Sequence, residues 1–325
     1  MDKVVLLADP KSNSWDFADK IKSYIFKEKN VSIPLKEVSI EHLGNYEIDM
    51  YVPENVRKKD VYFIQDSTKN PQEWWVELLL LKDLLLSASA GSVSFVLPDM
   101  LYSRKDRKEK PHVPISARAL SQSLSQGISR IITMDLHADQ VQGFYPAYVP
   151  LDNLHSFPEI VRYLKKNNTI KSLEDLIILS PDAGGVDRAK AFAQRLGSKY
   201  PIAFIYKRRT KEGVGGTREL EEMRLVGEVS GNDVLIVDDI IDSGRTLCEA
   251  SKLLKRKGAK ALYCYGTHGL FTQGTKELCN HFELIMTSNT HYNQRNEVVV
   301  IDVSNVFAEA IYRAQKGLSI SKLFE

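Results

Sequence analysis

Short, almost unbroken apolar runs recur along this chain at intervals that leave room for one helix between each pair. They read VVLLAD (4–9), DVYFIQ (60–65), SVSFVLP (92–98), RIITMD (130–135), LIILSPD (176–182), IAFIY (202–206), VLIVDD (234–239), ALYCYGTH (261–268) and ELIMTS (283–288). A strand with one face in water alternates apolar and polar residues. A strand without that alternation is buried on both faces, as in a parallel sheet covered by helices. The intervening segments supply the helices. Ser14–Phe26 carries Trp15, Ala18, Ile21 and Ile25 at helical spacing, and Pro71–Ala90 opens with Pro and is rich in Leu. Ile115–Ser125, Val186–Leu196, Gly244–Lys257 and Val306–Lys316 follow. The expected fold class is therefore α/β, with mainly parallel sheets flanked by helices.

At 325 residues, the chain is long for one domain and comfortable for two, at roughly 100–200 residues each. Strands resume with a new set after YPAYVPLDN. We place a first domain at 1–150, a second of similar build at 151–303, and a terminal helix in 304–325 that packs back on the first. The formal charge is only +2, so no global field draws the chain to nucleic acid or to a membrane, and an anionic ligand needs a local cluster. No apolar stretch approaches the ~20 residues that span a bilayer. The three cysteines, Cys248, Cys264 and Cys279, lack CxxC spacing. A cytoplasmic protein without a disulfide framework is expected.

The run VLIVDDIIDSGRT (234–246) concentrates the chemistry. A strand ends in Asp238 and Asp239, and Asp242, Ser243, Gly244, Arg245 and Thr246 then open a helix. Backbone N–H groups and hydroxyls at a helix N-terminus cradle a phosphate, and a glycine lets the backbone come close. Carboxylates at the strand end suit ribose hydroxyls or a hydrated Mg²⁺. The run resembles the 5-phosphoribosyl-binding loop of the phosphoribosyltransferase superfamily, whose members include the transferases and the ribose-phosphate pyrophosphokinases. This loop does not separate those two classes.

Three further segments resemble the pyrophosphokinases. MDLHADQVQGFYP (134–146) is similar to the family segment that puts a histidine beside the metal-bound phosphates of ATP, which implies that role for His137. By itself, a histidine after a strand end reads more readily as a buried structural residue. LSPDAGGVDRAKAFAQRL (179–196) is similar to the family's diphosphate loop, implying that Asp182 meets the metal and that Gly184 and Gly185 meet the diphosphate. In this segment Arg188 reads as a surface residue of the first helical turn. IYKRRTKEGVGG (205–216) resembles the start of the family's flexible catalytic loop, implying that Lys207 and Arg209 stabilise the transferring diphosphate.

The ATP side resembles the family less closely. LYSRKDRK (101–108) matches at Arg104 and Asp106, with Lys105 where the family has glutamine. LGNYE (43–47) stands where the family has an aromatic–Ser/Pro–Asp–Gly–Glu turn, so Asn45 replaces the aspartate and only Glu47 is kept. The resemblance implies transfer of diphosphate from Mg-ATP to ribose 5-phosphate by two similar phosphoribosyltransferase-like domains, with Mg²⁺ as cofactor held by His137 and Asp182. It also implies a homo-oligomer, a dimer or a hexamer. A catalytically silent regulatory subunit is the competing reading, favoured by the departures at 43–46 and Lys105. A true phosphoribosyltransferase is a further alternative. Trp74 and Trp75, on a Leu-rich helix, read as packing, and His268 lies near the ribose-phosphate loop by resemblance.

Overall fold

Each of the apolar runs forms a strand, and the pairings among these strands are parallel. The computed structural model describes residues 1–211, 219–291 and 295–324. Two units emerge. One comprises Met1–Ser156, Asn289–Tyr292 and Asp302–Glu325, the other Phe157–Ser288 and Asn293–Ile301.

The first unit is built from β1 (Val4–Ala8), α1 (Ser14–Lys29), β2 (Leu35–Glu37), β3 (Ser39–His42), β4 (Ile48–Tyr51), β5 (Asp60–Ile64), α2 (Pro71–Ser87), β6 (Ser92–Leu97), α3 (Ser116–Ser125), β7 (Arg130–Met134) and β8 (Leu151–Leu154). Its sheet runs β2-β1-β5-β6-β7-β8, and β3 and β4 form a separate antiparallel hairpin. β1 is buried at every position, as its unbroken apolar run requires. α2 starts where the sequence signals it: Pro71 occupies its first turn, and Asn70 Oδ1 accepts the Gln72 N–H at 3.0 Å. On one face of the sheet Trp74, Leu78, Leu81 and Leu85 of α2 pack with Leu120 and Leu124 of α3.

The second unit adds α4 (Phe157–Asn167), β9 (Ile177–Ser180), α5 (Val186–Leu196), β10 (Ala203–Lys211), β11 (Glu219–Val226), β12 (Val234–Ile241), α6 (Arg245–Arg256), β13 (Leu262–Gly269), α7 (Lys276–Cys279), β14 (Leu284–Ser288) and β15 (Val299–Ile301). Its sheet runs β11-β10-β9-β12-β13-β14-β15, with only the β10–β11 pair antiparallel among the described residues. Each unit is thus a mainly parallel sheet flanked by helices.

Chain boundaries differ from expectation in two places. β8, placed by sequence at the head of the second domain, pairs in parallel with β7 and closes the first sheet. Its residues, LDNL, are mostly half-buried, so only the neighbouring strand edge marks them as a strand. The short segment Asn289–Tyr292 also belongs to the first unit, ahead of the terminal return, which begins at Asp302. There α8 (Ser304–Lys316) lies against α1, with Phe307 edge-on to Phe17 at 5.3 Å and Lys29 bonded to Glu309 at 2.7 Å. No helix among the described residues is long and apolar enough to cross a membrane.

Candidate active site

In a parallel sheet, ligands gather at the carboxyl ends of the strands, where the helix N-termini also point. In the second unit the neighbouring strands β10, β9 and β12 carry Lys207 within β10, Asp182 two residues past the end of β9, and the Asp238–Asp239 pair in the second half of β12.

Asp182 folds back over its own turn. Its Oδ1 accepts N–H bonds from Gly184 at 2.9 Å and Gly185 at 3.0 Å, and Ser180 Oγ donates to its carbonyl at 2.7 Å. The two amides expected to face a diphosphate are therefore engaged by the aspartate. Gly185 has no room for a side chain, since a Cβ there would stand 2.6 Å from Ser180 Oγ.

The acid pair on β12 is tied to the first turn of α5. Arg188 Nη1 donates to Asp239 Oδ1 at 3.0 Å and lies 3.7 Å from Asp238 Oδ1. The Asp239 N–H donates to Asp238 Oδ1 at 2.9 Å. Burial, and then the carboxylate of Asp239, push the Asp238 carboxyl well above the usual carboxylate range, against the pull of Arg188. Two carboxylates this close to one guanidinium form a unit that accepts further positive charge or hydroxyl donors. Arg188 is the residue that reading the sequence missed. The usable signal is indirect: two adjacent acids at a buried strand end need a cation, and the first helical turn after the neighbouring strand supplies one.

The turn that follows β12 is shaped by contacts no sequence pattern shows. Thr272 clasps Asp242, its Oγ1 donating to Oδ1 at 2.8 Å and its N–H to the carbonyl at 3.0 Å. Gly244 sits at φ +75 and caps α6, and a Cβ there would lie 2.9 Å from Leu278. Arg245 and Thr246 are exposed on the first turn of α6, with Arg245 Nε 3.4 Å from Glu249. Ser243 is half-buried, its Oγ 3.5 Å from the Arg245 nitrogen. The helix dipole and its first amides favour an anion at this end. Gly244→Ala is expected to cost about 1–3 kcal/mol of stability, from the left-handed backbone and the Leu278 contact together. Denaturant unfolding measures it, and unchanged stability would mean that the turn carries no strain.

His268, on β13, is buried with 1% exposure, which favours a structural place over ligand contact. Lys207 and Arg209 do not open a loop. β10 continues to Lys211 and pairs with β11, in register Lys207↔Met223 and Arg209↔Glu221. The charged run 207–224 was read as a loop because its strand character rests on cross-strand pairing, which a polar sequence does not advertise. Lys207 is half-buried. The Arg209 side chain, and residues 212–218 of the same segment, lie outside the described residues.

In the first unit, the 101–108 segment is tightly folded. Tyr102 has φ +66 and meets Trp75 edge-on at 5.2 Å, so Trp75 supports this loop as well as packing on α2. Lys105 bonds to Glu109 at 3.1 Å, and its carbonyl accepts the Ala117 N–H at the start of α3. Gln140 donates to Asp106. This joins the Arg104–Lys105–Asp106 loop to the 3₁₀ turn Asp139–Phe144, just after His137. His137 is exposed past the end of β7, not buried. Its neighbour Leu136 is held by Asn153 Oδ1 at 3.1 Å. Asn45 and Glu47 occupy the β3–β4 turn, where Asn45 Oδ1 accepts the Glu47 N–H at 3.2 Å. Tyr46 there is 86% exposed. Beside it an open groove of about 670 Å³ runs between the hairpin and α2, lined by Glu47, Asn70, Val76 and Leu80 among others.

Comparison with known proteins shows what the chain resembles. Residues 10–127 match the family described as the N-terminal domain of ribose phosphate pyrophosphokinase, and residues 151–302 match the phosphoribosyl transferase domain. The ribose-phosphate pyrophosphokinase of Thermosipho africanus is 38% identical over 314 residues, covering 95% of this chain and 94% of that protein. That of Brucella melitensis is 37% identical, over 91% of this chain and 94% of that protein. The crystal structure of phosphoribosylpyrophosphate synthetase from Mycobacterium smegmatis superposes with a TM-score of 0.82 at 28% identity, covering 97% of this chain and 99% of that one.

Proposed function

Because this chain belongs to the ribose-phosphate pyrophosphokinase family, we propose that it moves the β,γ-diphosphate of ATP onto the anomeric hydroxyl of ribose 5-phosphate. The products are 5-phosphoribosyl 1-pyrophosphate and AMP. The observation that carries the site assignment is the Arg188–Asp239–Asp238 cluster running into the Gly244 turn at the N-terminus of α6. A phosphate on the first amides of α6 puts the ribose hydroxyls of the same molecule toward the carboxylates one strand-end away.

On this reading Ser243, Gly244, Arg245 and Thr246 hold the 5-phosphate, Asp242 stiffens their turn through Thr272, and Asp238 and Asp239 accept hydroxyl bonds from the ribose. Arg188 is a positioning residue that keeps the two carboxylates together. Arg104, Lys105, Asp106 and His137 serve ATP, with Asn45 and Glu47 contributing from the hairpin turn. The Asp182 turn faces the diphosphate, with the Gly184 and Gly185 amides bonded to the Asp182 carboxylate. The anomeric oxygen attacks the β-phosphorus in line, the bond to the α-phosphate oxygen breaks, and AMP departs. No covalent enzyme intermediate forms, so the protein's contribution is positioning and charge stabilisation, with Lys207 and Arg209 meeting the charge on the transferring group.

The carboxylates fit a Mg²⁺ ion, a hard cation that takes one or two carboxylates together with waters and substrate phosphate oxygens. Asp182 is the fitting protein ligand, since its carboxylate is oriented by two amides through one oxygen. An imidazole suits a hard ion poorly, so His137 is better placed as a hydrogen-bond donor to phosphate oxygens than as a ligand. When bound, the ion neutralises and polarises the phosphate oxygens. A homo-oligomer, dimer or hexamer, goes with the same reading, and the mass in solution measures it.

The test is AMP release from Mg-ATP with and without ribose 5-phosphate. AMP formed only with the sugar phosphate, one-for-one with 5-phosphoribosyl 1-pyrophosphate, is the expected result. No AMP at any nucleotide or phosphate concentration would move the chain to the silent regulatory class. Arg188→Ala is expected to raise the KM for ribose 5-phosphate by about tenfold, the loss of one hydrogen bond between charged groups. Conversely, the KM for ATP should stay near its original value. Equal loss for both substrates would point to general unfolding instead of a positioning role.

A further inference from the structure

α6 carries a second cluster on the side facing α7, unused by the reaction above. Cys248 lies one turn past Arg245 and is buried at 5% exposure. Glu277 sits on α7, and His281 follows one turn later, its N–H donating to the Leu278 carbonyl at 2.9 Å. His281 Nε2 stands 3.3 Å from Glu277 Oε1. One ligand atom from each of Cys248, Glu277 and His281 lies within 4.8 Å of the others.

We propose that Cys248, Glu277 and His281 bind a divalent cation of the zinc class, a site separate from the substrate carboxylates. The donor set is sulfur, carboxylate oxygen and imidazole nitrogen, which suits Zn²⁺ and its neighbours and suits Mg²⁺ or Ca²⁺ poorly. With metal–nitrogen and metal–oxygen bonds near 2.1 Å, the N···O edge of a tetrahedral site is about 3.4 Å. That matches the separation already present between His281 and Glu277. Three protein ligands leave the fourth position to water. On binding, the Cys248 thiol gives its proton to solvent and the thiolate sulfur takes the metal bond.

The placement gives the ion a consequence. Leu278, next in sequence to Glu277, is the side chain against Gly244 at the head of α6. An ion joining Cys248 to Glu277 and His281 fastens α7 onto the first turns of α6, and so braces the turn assigned to the sugar phosphate. The alternative is an ordinary i,i+4 pair between Glu277, with a side chain 69% exposed, and His281, beside an unrelated buried thiol.

The experiment uses the full-length protein, stripped with a chelator, returned to excess Mg²⁺ to occupy the hard-ion sites, and titrated with Co²⁺ and then Zn²⁺. The expected result is one equivalent of cobalt with a near-ultraviolet thiolate-to-cobalt charge-transfer band, which zinc then displaces. Cys248→Ser removes the band. His281→Ala, at a half-buried position and with the fold checked by circular dichroism, weakens zinc binding at least about tenfold. Cys279→Ser changes neither. No band, a band that survives Cys248→Ser, or unchanged zinc affinity in His281→Ala would each overturn the site. None of these readings depends on turnover, so the outcome is independent of the pyrophosphokinase assignment.

Discussion

Lys207→Ala is expected to lower kcat by about 10²–10³-fold, the usual loss when one preorganised donor to a developing anion is removed. Charge spreads over the equatorial phosphate oxygens as the diphosphate moves, so a cation aimed there contributes more in the transition state than in the substrate complex. The KM values for ATP and ribose 5-phosphate should therefore change far less than kcat. Lys207 suits the role because it stands on a paired strand, in register with Met223, and is half-buried. Steady-state AMP formation decides the matter. Unchanged kcat and KM would take Lys207 out of the mechanism, and a raised KM with kcat unchanged would make it a binding residue. Lys207→Arg keeps the charge and moves it, so an intermediate kcat is expected.

The largest expected effect on stability lies in the first unit. Glu77 of α2 is fully buried, and Lys69 bonds to it at 2.6 Å and to Asp9 at 3.3 Å. Gln65 Nε2 donates to the other Glu77 oxygen at 2.8 Å. Burial pushes the Glu77 carboxyl up, more than Lys69 and Gln65 pull it down. For Lys69, burial works against the charge, and Glu77 and Asp9 more than offset it, so its pKa stands above the ordinary lysine value. Lys69→Met leaves two buried carboxylates without a cation and is expected to cost about 3–5 kcal/mol, measured by urea unfolding near neutral pH. The sign of the pH effect follows from Glu77. A carboxyl whose pKa is raised by folding binds its proton more tightly in the native state, so the folded protein is favoured as pH falls. The Lys69→Met deficit should then shrink below neutrality and widen above the unfolded carboxyl value, about 4.3. A deficit independent of pH would show that the loss is one of packing. Lys69→Met with Glu77→Leu should recover most of the stability, since an apolar replacement of both partners removes the charge that has to be buried.

Some of this was legible in the residues alone. Runs such as VLIVDD and SVSFVLP lack alternation, and a strand without alternation must be covered on both faces. That fixed a mainly parallel α/β fold. The Asp-Ser-Gly-Arg-Thr turn and Gly184–Gly185 could be placed because their chemistry is local: a small residue, a strand end and a helix start lie within a few positions of one another. The start of α2 was readable for the same reason, since Pro71 acts within one helical turn, and α5 spans Val186–Leu196 as read.

What the residues alone left undecided rests on partners far along the chain. Arg188 reaches Asp239 across 51 positions, and neither segment's pattern names the other. β8 became the last strand of the first sheet because β7 offered it an open edge, not because LDNL looks like a strand. β10 and β11 hold their hairpin through mutual hydrogen bonds that a charged sequence hides. The trio of Cys248, Glu277 and His281 exists only because α7 packs onto α6, with Leu278 filling the space that Gly244 leaves. Sequence determines what each segment buries and where it turns, since those are short-range matters of hydrophobicity and backbone freedom. Tertiary structure decides which segments meet, since contact between them is settled by the free energy of the whole packed arrangement.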